Sequence, residues 1–278
     1  MDWIELANKP QEQFFKDTDI IKDGIRYCEN CKTEKQVRIT IEETERIVGV
    51  PCKCRQEQID TYKRTIERTQ EMKRQTAVRE KGLRNYELMN ATFENDENKD
   101  SQTSQVLRKY AEKWQIVKEK QLGVLLYGNV GTGKTYYAAA VANEVIKQGD
   151  RAFVMNVADL TALREVEEQR QIEHRIDTWE LFILDDLGAE RLTEYSIEKV
   201  YNAVDRRYAS GLPMIVTTNL DAKAMASIPE SDGARKRIFD RVLASCSLEL
   251  KMTGESKRKK LAKDRTEQAL DILFGGTE

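Results

Sequence analysis

Short, unbroken apolar runs alternate with longer polar stretches through the C-terminal two thirds of this chain. The runs are Val124-Leu125-Leu126-Tyr127, positions 152–157, Leu181-Phe182-Ile183-Leu184, Met214-Ile215-Val216 with the two threonines that follow, and a last one near 247–250. Each is continuous rather than alternating, as expected of a strand covered on both faces. The stretches between them, 136–146, 158–176, 193–208 and 234–243, contain no Gly or Pro and read as helices. Strand and helix taking turns predict an α/β fold, a parallel sheet with helices on both sides. A ligand then binds at the carboxyl ends of the strands.

The first third follows a different pattern. Positions 36–41 alternate polar and apolar side chains, and 46–50 is a plausible return strand, which together make a hairpin. From 55 to about 86 no Gly or Pro occurs before Gly82, and charges of both signs interleave. This predicts a long solvated helix, with nine basic residues against five acidic ones over 55–84. The polar run 94–100 reads as an exposed loop or disordered insert, and 104–120 as one helix with an apolar stripe at Val106, Leu107, Tyr110, Trp114 and Val117.

Composition narrows the picture only locally. The 278 residues carry 46 Lys and Arg against 48 Asp and Glu, so overall charge says nothing about a nucleic-acid partner. No apolar segment is long enough to span a bilayer, and the start lacks the basic-then-apolar layout of a signal peptide. A cytoplasmic protein is expected, in the host cytoplasm if the source is viral, with no membrane partner. In that reducing setting the five cysteines favour metal ligation or free thiols over disulfides. Cys28 and Cys31, then Cys52 and Cys54 after twenty residues, can surround one tetrahedral Zn²⁺ if the segment between them doubles back. A closed four-sulfur site folds a domain and does no chemistry. Cys246, alone in an apolar run, reads as a small core residue.

Chemistry concentrates at Gly128-Asn129-Val130-Gly131-Thr132-Gly133-Lys134-Thr135, between the first apolar run and a helix. This is the context of a Walker A phosphate loop. The glycines let backbone N–H groups turn toward an anion that also meets a helix N-terminus. Lys134 supplies a charge for the β- and γ-phosphates of a nucleotide, and Thr135 a hydroxyl for Mg²⁺. Leu181-Phe182-Ile183-Leu184-Asp185-Asp186 is a Walker B pattern, with Asp185 a magnesium ligand through water and Asp186 the group that polarises an attacking water. Asn219, at the end of the next strand, could reach the same water or serve as a turn residue. His174 is the only histidine and lies in a polar helix, which predicts a surface position and leaves no Ser-His-Asp arrangement to build.

The motif series Gly-x2-Gly-x-Gly-Lys-Thr at 128–135, Leu-Phe-Ile-Leu-Asp-Asp-Leu-Gly-Ala-Glu at 181–190, Thr-Thr-Asn-Leu at 217–220, Arg-Ile-Phe-Asp-Arg-Val at 237–242 and Gly-Glu-Ser-Lys-Arg at 254–258 resembles the DnaC/DnaI-type replicative helicase loaders, AAA+ ATPases of bacteria and their phages. The resemblance covers roughly 86–260, and the cysteine-bearing start is similar to zinc-bearing, helicase-binding domains of some members. It implies a zinc-binding N-terminal domain at 1–54, a helical linker at 55–90, and an AAA+ ATPase domain without a full lid at 91–278. Asn219 would then be sensor 1, Arg241 an arginine finger acting in a neighbouring subunit, with Arg237 the alternative, and Arg258 the sensor 2 arginine. The implied partners are a hexameric DnaB-type helicase, single-stranded DNA and further copies of the chain. The basic cluster Lys257, Arg258, Lys259, Lys260, Lys263 and Arg265 reads as a solvated tail or a DNA contact. Arg164, Arg170 and Arg175 occupy the place where similar loaders touch DNA. Asp186 stands where most AAA+ proteins carry Glu, a shorter reach that bears on the rate of hydrolysis. The clan also holds IstB-like transposition helper ATPases, so that function, or a zinc adaptor that binds ATP with little hydrolysis, is the alternative to a loader.

Overall fold

A computed structural model describes residues 15–41, 44–83, 85–188, 193–229, 231–254 and 256–274. The chain divides into two compact units, Met1–Lys73 and Arg74–Glu278.

The first unit holds two hairpins. β1 (Ile20–Lys22) pairs antiparallel with β2 (Ile25–Tyr27), and β3 (Gln36–Ile41) with β4 (Thr44–Gly49). The register of the second hairpin, Gln36 opposite Gly49 and Val37 opposite Val48, realises the doubling back that the cysteine spacing requires. The Lys35 backbone N–H donates to the Arg26 carbonyl, and the Lys35 carbonyl accepts from Val50 N–H, stitching the two hairpins together. The Lys35 ammonium is buried against Asp19 at 2.6 Å. Helix α1 (Lys53–Leu83) then begins; its polar surface from Thr61 to Gln70 is exposed throughout.

The second unit contains a five-stranded sheet in the order β6-β7-β8-β5-β9, formed by β5 (Val124–Gly128), β6 (Ala152–Asn156), β7 (Leu181–Leu187), β8 (Met214–Thr218) and β9 (Leu248–Met252). Every pairing is parallel. The two-residue period of a strand sorts the apolar runs onto two faces. Val124, Leu126, Ala152, Val154, Leu181, Ile183 and Ile215 enter one core. Leu125, Phe153, Met155, Phe182, Leu184, Met214 and Val216 enter the other. The first core is closed by α3 (Gln102–Glu112), α4 (Trp114–Glu119) and α5 (Lys134–Lys147); α2 (Tyr86–Asn90) packs Leu88 and Met89 against it. The second is closed by α6 (Val157–Ala162), α7 (Val166–Thr178), α8 (Glu194–Ser210), α9 (Ala222–Ala226) and α10 (Gly233–Ser245). Cys246 is fully inside the second core. Among the described residues, no helix is long and apolar enough to cross a membrane.

Three local expectations change. The 104–120 helix is two helices that meet at Lys113, where fully buried Trp114 turns inward and donates its Nε1–H to Asp150 at 2.7 Å. The 158–176 helix also divides, because Leu163 buries its side chain while its carbonyl accepts from the Lys199 ammonium. The polar run 94–100 is not simply an exposed loop: Asp96 is buried and accepts from Ser104 Oγ at 2.6 Å and Tyr137 OH at 2.9 Å. The basic cluster, read as a solvated tail or a DNA contact, opens an 18-residue helix, α11 (Lys257–Phe274).

Candidate functional site

The phosphate loop leaves β5 and enters α5 with its glycines in backbone space that side chains rarely occupy. Gly128 has φ +136°, and a Cβ there would stand 2.1 Å from the Met252 carbonyl oxygen. Gly131 has φ +82°, and its Cβ would meet Ser256 Oγ at 2.1 Å. The end of β9 and Ser256 therefore lie directly on the loop, and only Gly fits at both positions. Gly133 caps α5 at φ 94° and provides no side-chain hydrogen bond, so the helix N-terminus meets the loop uncapped. Asn129 and Val130 are exposed at the loop's crest, while buried Thr132 donates its hydroxyl to the Asn129 carbonyl at 2.9 Å.

Lys134 is buried and its ammonium donates to the Gly128 carbonyl at 3.0 Å, the Asn129 carbonyl at 2.8 Å and Asn219 Oδ1 at 2.9 Å. The Thr135 hydroxyl donates to Asp185 Oδ1 at 2.8 Å. Asn219 Nδ2 faces Asp186 Oδ1 at 3.5 Å. The structure thus gathers Lys134, Thr135, Asp185, Asp186 and Asn219 at the carboxyl ends of three adjacent strands. Two hard oxygen donors, Thr135 Oγ1 and Asp185, stand side by side, the donor chemistry that magnesium requires.

The acids sit at an irregularity. The β7–β8 register shifts between Leu184 and Leu187, and Asp186 adopts φ +65°, in the left-handed region that Asp tolerates better than most side chains. Residues in such backbone cost about 1–3 kcal/mol and persist where neighbours hold them. Asp185 is buried and Asp186 half-buried.

Sequence reasoning missed three contributors. Thr217 contacts both acids, donating to Asp185 Oδ1 at 2.7 Å and accepting the Asp186 backbone N–H at 2.8 Å. Asn156, across from Asp185 in the β6–β7 register, approaches Asp185 Oδ2 at 3.5 Å. Ser256 covers Gly131. A hydroxyl two residues before Asn219, on the face that the two-residue period of a strand assigns to both, was the available signal for Thr217.

The other arginines are not brought to this cluster by any described contact. Arg241 pairs with Asp205 and lies over the Tyr208 ring at 4.8 Å. Arg237 lies over Tyr201 at 5.1 Å and donates to the Gly233 carbonyl. The Arg258 side chain lies outside the described residues, as do Ala189 and Glu190 of the extended Walker B motif. His174 is exposed. Arg175 packs over Phe153 and Trp179 and donates to the Lys81 carbonyl, a structural use that the DNA-contact expectation did not foresee. Arg164 donates to the Thr161 and Leu163 carbonyls and covers Tyr195, and Arg170 is exposed.

In the first unit the sulfur atoms of Cys28, Cys31, Cys52 and Cys54 all lie within 4.8 Å of one another, as free thiols. Cys54 Sγ is 3.7 Å from Cys28 Sγ and 3.4 Å from Cys52 Sγ. Four sulfurs held about 2.3 Å from one zinc ion would be about 3.8 Å apart, so the cluster fits that metal. The Thr33 hydroxyl, with backbone N–H groups, pulls the Cys31 thiol down to about 5. Its neighbours Cys52, Cys31 and Cys28 push Cys54 up to about 12. Four thiolates this close repel one another, and a divalent cation removes that conflict.

Comparison with known proteins agrees with this geometry. The chain matches the family model described as IstB-like ATP binding protein over residues 54–265. It is 27% identical over 204 residues to the replicative helicase loader DnaC of Buchnera aphidicola subsp. Acyrthosiphon pisum (strain APS), covering 69% of this chain and 79% of that protein. Among solved structures it resembles a DnaI crystal structure, with a TM-score of 0.51, 24% identity, and coverage of 62% of this chain and 92% of that one. It also resembles a crystal structure of the DnaC helicase loader, with a TM-score of 0.52, 19% identity, and coverage of 61% and 100%. At those identities the two structures establish the fold. A phosphate loop, an acid-tipped strand of the same sheet and a family match across most of the chain agree: this protein belongs to the IstB-like ATP binding proteins.

Proposed function

We propose that the chain is an ATP-dependent loader that binds a DnaB-type replicative helicase and helps deposit it on single-stranded DNA during replication initiation. The observation that carries this reading is the hydrogen-bonded cluster of Lys134, Asn219, Asp186, Thr217, Asp185 and Thr135, joined in one chain to a four-thiol knot. Similarity to proteins named replicative helicase loader supports the choice of partner. We place the protein in the cytoplasm, the host's if it is phage-encoded. The knot corresponds to a zinc-binding 1–54 domain, followed by a 55–90 linker and a 91–278 ATPase domain.

The loop 128–135 binds the triphosphate through backbone N–H groups, and Lys134 exchanges its carbonyl partners for phosphate oxygens. Thr135 and Asp185 would hold magnesium, which when bound neutralises phosphate charge. Asp186 takes a proton from the attacking water, and Asn219 orients that water. Arg241, or Arg237, acts on the nucleotide of a neighbouring copy, and Arg258 on its own; hydrolysis therefore belongs to an oligomer. Cys28, Cys31, Cys52 and Cys54 would hold zinc, which when bound stabilises the fold of the helicase-binding unit.

The test is capture of a purified DnaB-type hexamer by the full-length protein, with phosphate release measured on single-stranded DNA. A stable complex with DNA-stimulated hydrolysis is expected; no complex at micromolar concentrations would overturn the reading. The family description favours one second reading, a transposition helper acting on duplex DNA. Filaments that form only on duplex DNA would select it.

A further inference from the structure

Thr217 occupies the one described position in β8 from which a single side chain reaches both acids of β7. We propose that Thr217 is a positioning residue for the magnesium and water chemistry of this site, an inference that rests on the ATPase reading and extends it. Its hydroxyl has one proton and two acceptor lone pairs. The proton goes to Asp185 Oδ1 at 2.7 Å, and a lone pair accepts the Asp186 N–H at 2.8 Å. Thr135 bonds the same Oδ1 from the phosphate-loop side at 2.8 Å. Asp185 is thereby gripped on one oxygen from two elements, which sets the direction of the other.

The bond to Asp186 has a separate effect. That residue sits in left-handed backbone at a register shift, outside the registered pairs of β7 with β6 and β8. The Thr217 hydroxyl supplies a partner for its N–H and so fixes where the Asp186 carboxylate begins. Thr217 is 1% exposed, and its β-branched side chain is restricted at χ1, so the hydroxyl is pre-aimed. Thr218, the next residue, donates its hydroxyl to the Leu187 carbonyl and accepts the Leu220 N–H, which marks the contact with both acids as particular to Thr217.

Binding of a fluorescent ATP analogue is measured with magnesium chloride or with EDTA, beside turnover at saturating ATP. Thr217→Val keeps the shape and removes the hydroxyl. In EDTA it should bind within about twofold of the parent, but lose roughly tenfold of the affinity gained with magnesium, and at least about tenfold in kcat, as misplaced catalytic groups do. Thr217→Ser restores the hydroxyl and should recover both to within about threefold. Equal loss in both arms, no loss in either, or no recovery with Ser would overturn the inference. If the Val variant does not fold, Thr217→Ala against Thr217→Ser isolates the hydroxyl with the methyl absent from both. A parent protein that takes up no nucleotide defeats the ATPase reading and this inference together. Uptake abolished by Lys134→Ala but indifferent to Thr217 defeats this inference alone.

Discussion

The two units of this chain secure their folds by different means. In Met1–Lys73 only Cys28, Val48 and Cys52 are buried among the described apolar side chains, and two short hairpins flank a thiol knot. In Arg74–Glu278 two apolar cores sandwich a five-stranded parallel sheet. Apolar burial this sparse among the described residues calls for a staple, whereas a two-faced sheet does not. The contrast teaches where ligands would matter: a metal held by the four thiols would be part of the first fold, whereas a nucleotide would be a guest of the second.

Removing metal should have the largest effect. Chelation should unfold the cysteine unit, with a loss of order 10 kcal/mol of metal-linked folding energy. Nucleotide affinity should stay within about twofold, since the phosphate loop belongs to the other unit. Circular dichroism and limited proteolysis read the first, fluorescent ATP binding the second, and joint loss would break the comparison.

Within the second unit, Arg207 is fully buried and donates to the carbonyls of Ile176, Trp179, Glu180 and Pro213. Arg207→Met strands those acceptors and should cost about 3 kcal/mol in denaturant unfolding. Metal content should not change, and a fall in it would show that the units are not independent.

Lys134→Ala sharpens the contrast from the ligand side. It should weaken ATP binding about 100-fold, roughly 2.7 kcal/mol, while the thiol knot keeps its metal. Isothermal calorimetry and metal analysis on the same sample decide it.

Asp186→Glu tests whether the short acid limits turnover, with an expected rise of about tenfold, or 1.4 kcal/mol in the barrier. An immeasurable parent rate that this change fails to raise, with helicase binding intact, would favour an ATP-binding adaptor.

The smallest effect concerns acid. Burial opposes the Glu180 carboxylate, but Arg151 grips it at 2.8 and 3.0 Å and holds its pKa below the ordinary value. The unfolded chain therefore binds the proton more readily, so this stabilisation is complete above the unfolded value of about 4.3 and fades as pH falls through the folded one. Glu180→Gln should flatten that acid slope by less than about 1 kcal/mol, because the pair is partly exposed. Thermal melts from pH 6 to 3 measure it.

Much of this was legible in the sequence for a local reason. A parallel strand buried on both faces must be apolar throughout, so Leu181-Phe182-Ile183-Leu184 announces itself, and its acids mark the strand's end. Gly128, Gly131 and Gly133 advertise backbone that only glycine adopts readily. Asp96 was misread because its partners, Ser104 and Tyr137, lie 8 and 41 residues away, and a carboxylate meeting distant hydroxyls looks identical in sequence to one facing water. The breaks at Lys113 and Leu163 were hidden for the same reason, since neither follows from a helix-breaking residue.

The sequence by itself determined the order of elements, the phosphate loop, the acid-tipped strand and the two cysteine pairs, because each depends on neighbours only a few residues apart. The tertiary structure alone decided that β8 lies between β5 and β7, and so that Thr217 and Asn219 stand between Lys134 and the two acids. Strand order is settled by how buried faces pack and by the hydrogen bonds that adjacent edges exchange. Those are relations between distant segments, and no local pattern encodes them.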